Sequence, residues 1–246
     1  MPEGPSIVIL REEAAAFAGR VVRRAEGNAK IDMGQLPGRR VQALRSFGKQ
    51  FLIELSHGLT VRVHLLLFGS YRINEGRDIA PRLRLVFDKG ELNFYNGSVR
   101  LLEGDLDTLF DWRADVMSEQ WDPKLARARL RKMPDTLVCD ALLDQTLFAG
   151  VGNIIKNEVL YRIRVHPLST VGALSPHKLR QLVEEARVYS FQFLAWKKQY
   201  VLAKHWLVHN RGRCPRHDIP LQRAYLGKTH RRSFFCLRCQ KLYTED

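Results

Sequence analysis

No apolar run in the 246 residues approaches the roughly 18 to 20 needed to cross a bilayer, so no membrane partner is expected. The opening stretch, MPEGPSIVILREEAAAF, lacks a basic segment followed by an apolar run and a cleavage site, so the chain reads as cytosolic. Cysteine is scarce, at four residues, which argues against a disulfide-stapled scaffold. Acidic residues are also in short supply, 26 against 40 Lys and Arg, and the formal charge is +14. With 45% hydrophobic and 27% charged residues the chain is folded and not disordered.

A charge of this sign and size favours a polyanionic partner, because each cation seated on a phosphate releases condensed counterions. The excess is uneven. Between Arg211 and Asp246, nine Lys or Arg face three acids, a net of +6 in a short tail. The tail also holds three of the four cysteines, and in a reducing compartment such clustering suggests a metal. The fourth, Cys139, sits in LVCDALL and reads as a small buried hydrophobe.

Three patterns follow one another, placing boundaries at 1–117, 118–207 and 208–246. The first is strand-like. VVRRAEG, RVQALRSF, KQFLIELS, LTVRVHLL, SYRIN, RLRLVFD and ELNFYNG are rich in β-branched and aromatic residues, with hairpin signals at Ser56–Gly58 and Asp88–Gly90. Good helix formers from Glu12 to Phe17, stopped by Gly19, place a helix before them. Many short strands after one early helix predict an antiparallel sandwich or barrel. The second pattern is helical. Asp122-Pro123 and Ser175-Pro176 are helix starts, and Leu179, Leu182, Val183 and Ala186 form one apolar stripe. Between these helices Gly150-Val151-Gly152-Asn153 joins two apolar runs. That turn is either a hinge between packed helices or a helix–turn–helix device that grips a DNA backbone.

The third segment is too small for a sufficient core without help. Cys214-x2-His217 and Cys236-x2-Cys239, separated by 18 residues, offer four N/S ligands for one closed tetrahedral site. One structural Zn2+ is the expected cofactor, held in a hairpin finger whose folding the metal drives. His230 is a competing ligand at poorer spacing from Cys214.

Met1-Pro2-Glu3-Gly4-Pro5, Gly48-Lys49, LLDQTLFAGVGNIIKNEVLYRIRVHP and the final FFCLRCQ, taken in order, resemble the formamidopyrimidine-DNA glycosylase and endonuclease VIII family over essentially the whole chain. The fold so implied is multidomain α/β: an N-terminal antiparallel β-sandwich with an early helix, a central helix-two-turn-helix domain and a C-terminal β-hairpin zinc finger. The implied activity is that of a bifunctional DNA glycosylase and abasic-site lyase acting on damaged duplex DNA. Loss of Met1 exposes a secondary amine on Pro2. An α-amine titrates near 7.7–8.0, so a useful fraction is nucleophilic at cellular pH. Glu3 is placed to shuttle protons. The resemblance gives Lys49 a catalytic phosphate contact, Asn153 a grip on the lesion-flanking phosphate and Arg231 the phosphates beside the extruded nucleotide. Arg232 is the alternate for that last role. Extrusion leaves a hole in the stack. Leu67 and Phe68, in His64-Leu65-Leu66-Leu67-Phe68-Gly69, are candidates to fill it, although burial in a core explains them equally well.

Three departures narrow the reading. Tyr95-Asn96-Gly97-Ser98-Val99-Arg100-Leu101 lacks the arginine–phenylalanine loop of the purine-directed branch, which points to the endonuclease VIII-like branch and to oxidised pyrimidines. His217 replaces a fourth cysteine, and Ser6 stands where a glutamate is common. The expected partner is double-stranded DNA carrying oxidised bases or abasic sites, with bubble or single-stranded DNA as further substrates. The chain is expected to act as a monomer, cytoplasmic and nucleoid-associated if bacterial.

Overall fold

A computed structural model describes residues 2–244, and these divide into two compact units, Met1–Asp111 and Trp112–Asp246. By contact, the helical and finger patterns fall into the one second unit.

The first unit opens with α1 (Gly4–Glu13), earlier than the helix-forming run at 12–17, of which only a 3-10 turn at Ala15–Phe17 is separate. Pro5 suits the first turn because its missing N–H is not needed there. Ile7, Leu10 and Ala14, spaced three and four apart, then share the face that enters the core. The strands follow as β1 (Val22–Glu26), β2 (Val41–Phe47), β3 (Gln50–Leu55), β4 (Leu59–His64), β5 (Ser70–Ile73), β6 (Leu83–Phe87), β7 (Glu91–Tyr95) and β8 (Ser98–Glu103).

They form two antiparallel sheets, ordered β2-β3-β4-β8 and β1-β6-β7-β5. Phe51, Ile53, Val61 and Val63 of one sheet share a core with Leu83, Leu85, Leu92 and Phe94 of the other. The rings of Phe51 and Phe94 meet at 6.0 Å across it, as in a sandwich. β8 is the strand missing from the sequence reading. It follows β7 after only Asn96 and Gly97, with Asn96 at φ 52, and so was hidden inside a turn-like string. α2 (Leu106–Leu109) closes the unit, with Asp107 accepting from Arg45 at 2.8 Å.

The second unit contains α3 (Pro123–Arg131), α4 (Val138–Ala141), α5 (Asn153–Arg162) and α6 (Pro176–Lys198), then the hairpin β9 (Gln222–Leu226) and β10 (Arg231–Phe235). Asp122 accepts from the Lys124 and Leu125 N–H groups, and Ser175 from that of Lys178, so both helix starts are capped as expected. The stripe Leu179, Leu182, Val183 and Ala186 is buried against α5. α5 itself is buried from Asn153 to Tyr161, including Lys156, Asn157 and Glu158. Lys156 and Asn157 bond to β10, and Glu158 to the backbone of Leu207–His209, the segment that leads into the hairpin. Among the described residues no helix is long and apolar enough to cross a membrane.

Candidate nucleic-acid interface and metal centre

In the first unit, Pro2 is half-buried and Glu3, with no exposed surface, precedes α1 as its N-cap. The Glu3 N–H donates to Ser6 Oγ at 3.5 Å. Ser6, the departure from the usual glutamate, therefore holds the backbone of the residue that follows Pro2. Gly48-Lys49 is a two-residue turn between Phe47 and Gln50, which pair as the last rung of β2 and β3. Gly48 has φ 53, the left-handed conformation that such tight turns need. Lys49 is half-buried at its tip.

His64, which ends β4, was not singled out from sequence. Its Nδ1 accepts the Leu66 N–H at 3.0 Å, so the ring proton sits on Nε2 in the neutral form. Burial, then Lys49, then Arg62 hold its pKa below the ordinary histidine value. On the same face Arg62 pairs directly with Arg100 across β4 and β8. Arg62 Nε is buried with no hydrogen-bond partner among the described residues, and burial and Arg100 lower its pKa. Lys49, Arg62 and Arg100 thus form a run of cationic groups around the neutral His64, the kind of surface a polyanion neutralises. The only sequence signal for it was alternation in VRVH.

The loop after β4 is tied at its base, where the Gly69 N–H donates to the Leu65 carbonyl at 2.7 Å. A Cβ on Gly69 would fall 2.0 Å from that carbonyl oxygen, so glycine is required. Between those residues Leu67 is 45% and Phe68 84% exposed, which removes the core reading of both.

In the second unit, Asn153 opens α5 at the positively polarised end of the helix. Its Nδ2 donates to the Arg232 carbonyl at 2.9 Å, so the amide also holds the finger. Arg231 begins β10 and is half-buried. Arg232 is exposed on the other face and donates from Nη2 to the Tyr225 hydroxyl at 2.8 Å. Asn153 thereby holds the residue that directly follows Arg231.

The donor atoms of Cys214, His217, Cys236 and Cys239 all lie within 4.8 Å of one another. Cys214 Sγ is 3.5 Å from Cys239 Sγ, and His217 Nδ1 is 3.2 Å from Cys239 Sγ. Tetrahedral zinc with Zn–S near 2.3 Å demands ligand separations of about 3.8 Å, so the set fits a closed structural zinc site. His230 is not in it. The Tyr161 hydroxyl lies 3.2 Å from Cys214 Sγ, where it would donate to the thiolate of a metal-bound cysteine, a contact that spacing could not reveal. Cys139 lies apart and buried, its thiol pushed up to about 11 by burial, as suits an inert core residue.

Comparison with known proteins agrees with this layout. The profile of the formamidopyrimidine-DNA glycosylase N-terminal domain matches residues 1–101, and that of the formamidopyrimidine-DNA glycosylase H2TH domain matches residues 113–189. Endonuclease 8-like 3 of Xenopus laevis is 31% identical over 231 residues, covering 88% of this chain and 37% of that protein. Formamidopyrimidine-DNA glycosylase of Chloroflexus aurantiacus is 27% identical over 98% of both chains. The crystal structure of Lactococcus lactis formamidopyrimidine-DNA glycosylase bound non-covalently to DNA containing an abasic site superposes with a TM-score of 0.86. It shares 23% identity and covers 97% of this chain and 99% of that one, a likeness of fold. The chain spans about a third of the length of the first curated relatives it matches. On the two matched domains and their order, the chain belongs to the formamidopyrimidine-DNA glycosylase and endonuclease VIII family.

Proposed function

We propose that this chain is a bifunctional DNA glycosylase and abasic-site lyase of the endonuclease VIII type, excising oxidised pyrimidines from DNA. The observation that carries the reading is the pairing of Pro2 with a fully buried Glu3 at the head of α1, in a family member whose second unit holds a zinc hairpin.

With Met1 removed, the Pro2 amine attacks C1′ of the damaged nucleoside, and the C1′–N bond breaks with its electron pair leaving on the base. Glu3 donates the proton that lets the sugar ring open, and an iminium remains on Pro2. The iminium acidifies the C2′ proton. Its removal expels the 3′ phosphate, and a second elimination expels the 5′ phosphate; water then adds to the iminium and hydrolyses it, which frees the sugar remnant as its aldehyde and returns the Pro2 amine. Lys49, Asn153 and Arg231 hold phosphates while this happens, Arg231 through the fork that bridges two oxygens.

The chain works as a monomer on duplex DNA in this reading, and bubble or single-stranded DNA is a further substrate. The absent arginine–phenylalanine loop supports pyrimidine lesions over purine ones. Borohydride trapping on an abasic-site duplex, with mass spectrometry of the adduct, tests the mechanism. An adduct on Pro2 is expected. Tight binding with no adduct would turn the reading into that of a damage-binding protein without chemistry.

A further inference from the structure

The zinc ligands fix the open end of the β9–β10 hairpin, and a second device holds its closed end. The turn Gly227-Lys228-Thr229-His230 rests on α4 through Asp140. One carboxylate oxygen accepts the Lys228 N–H at 2.9 Å. The other accepts both the N–H and the hydroxyl of Thr229, each at 3.2 Å. Gly227 allows this approach: it sits at φ +70, and a Cβ there would lie 2.4 Å from the carboxylate.

Isolated two-stranded hairpins are marginal, and this tip is poorly suited to hold itself. His230, a non-glycine residue at φ 45, is in the left-handed region, which such residues keep only where surrounding contacts hold them there. The turn's own backbone bond, His230 N–H to the Gly227 carbonyl, is 3.2 Å long. Past the tip, β10 is held by α5. The Arg232 carbonyl accepts from Asn153 at 2.9 Å, Asn157 at 3.3 Å and Lys156 at 3.4 Å, and the Phe234 N–H donates to Asn157 Oδ1 at 3.2 Å. Arg231 lies between the two clamps, directly after the strained His230.

We propose that Asp140 is a positioning residue for Arg231, fixing the hairpin tip so that the guanidinium is presented to a DNA phosphate. The inference rests on the phosphate role assigned to Arg231 above. Without the carboxylate, the Lys228 and Thr229 donors lose their acceptor and the turn relaxes away from the left-handed geometry. β10 then enters at Arg231 in a spread of directions, although its later residues stay bound to α5. The zinc site, at the far end of the hairpin, is untouched.

The test is a double-mutant cycle on the full, zinc-loaded chain with Met1 removed, reading single-turnover cleavage of an abasic-site duplex. Asp140→Ala is expected to slow cleavage on the order of tenfold to a hundredfold, the scale of a small misplacement. It should keep one zinc per chain. Asp140→Asn should recover part of the rate, because its Oδ1 still accepts from Thr229. The decisive result is non-additivity: Asp140→Ala combined with Arg231→Ala should cleave no more slowly than Arg231→Ala alone.

Additive losses, or wild-type cleavage by Asp140→Ala beside a slow Arg231→Ala, overturn the positioning role and leave Arg231 in place. Wild-type cleavage by Arg231→Ala removes that residue from the machinery and this inference with it. Should Asp140→Ala lose zinc, Thr229→Val removes only the hydroxyl donor and carries the same cycle: non-additivity supports the clamp and additivity overturns it. Borohydride trapping on Pro2 in every variant keeps failure of the amine chemistry separate from failure of the clamp.

Discussion

The Glu158 carboxylate accepts the His209 N–H at 2.8 Å, joining the middle of α5 to the segment that leads into the zinc hairpin. The same carboxylate accepts from Leu207 and Val208, so three consecutive N–H groups converge on one side chain with no exposed surface. Burial raises its pKa, and the three donors oppose the rise. Glu158→Gln turns an NH2 toward donors that need an acceptor. It should destabilise the second unit by about 1–3 kcal/mol, the cost of leaving buried donors unsatisfied. Thermal denaturation of the zinc-loaded chain checks this, and an unchanged Tm would show the convergence to be incidental.

His209 makes stability depend on pH in a defined window. Its ring is buried, is edge-on to Trp206 and Phe234, and meets Asn157 Nδ2 at 3.2 Å. Burial first, then the Lys156 ammonium, pulls its pKa down to about 4. A histidine whose folded pKa lies below its unfolded value binds more protons when unfolded, so acid favours unfolding. The loss should begin as pH falls below about 6.5, be complete near 4 and amount to about 3 kcal/mol. The zinc ligands also titrate on acidification, so the quantity to measure is a difference. Wild type should lose more stability than His209→Gln between pH 6.5 and 4. Parallel curves would remove His209 as the cause.

Much of this architecture was legible in sequence because it is local. Seven strands, two capped helices and the zinc ligands are written in alternation, in Asp-Pro and Ser-Pro pairs and in x2 spacing. Contacts between distant segments left no such trace. Asp140 meets Lys228 and Thr229, Lys156 meets Ser233, and Glu158 meets His209, pairs that only the fold brings together. The run IIKNEVLY was legible only as an apolar run after the glycine turn, with nothing to say where Lys156, Asn157 and Glu158 lie. All three are buried, Lys156 and Asn157 against β10 and Glu158 against the segment before the hairpin. Leu67 and Phe68 were undecidable for a related reason, since VRVHLLLF is equally apolar whether the strand continues or stops. It stops at His64.

Zinc should matter to the hairpin more than to the rest of the chain. The cluster beneath it is small: Tyr161, Val208, Leu221 and Phe234 with the three cysteines of the zinc site. Chelation or Cys236→Ser should therefore weaken DNA binding while the sandwich of the first unit stays folded, as judged by limited proteolysis. Tyr161→Phe gives a finer reading. The hydroxyl beside Cys214 Sγ stabilises a thiolate ligand, and its loss should weaken zinc binding by roughly tenfold or more. Equal zinc release by Tyr161→Phe and wild type under a chelator would show that the contact contributes nothing to the metal.

Substitution of Phe68 should separate base removal from strand cleavage. A ring 84% exposed at the tip of a loop contributes little to folding, so Phe68→Ala should melt within a degree or two of wild type. An extruded base, by contrast, leaves a stack that an apolar side chain can fill, and unstacking costs a few kcal/mol. A lesion-containing duplex needs that support for the base to leave the helix. An abasic site has no base to extrude and needs it much less. Phe68→Ala, and Leu67→Ala to a smaller degree, should slow excision of an oxidised pyrimidine while leaving cleavage at a preformed abasic site nearly intact. Equal slowing on both substrates would place the loop in general DNA binding. No slowing on either would remove it from the interface.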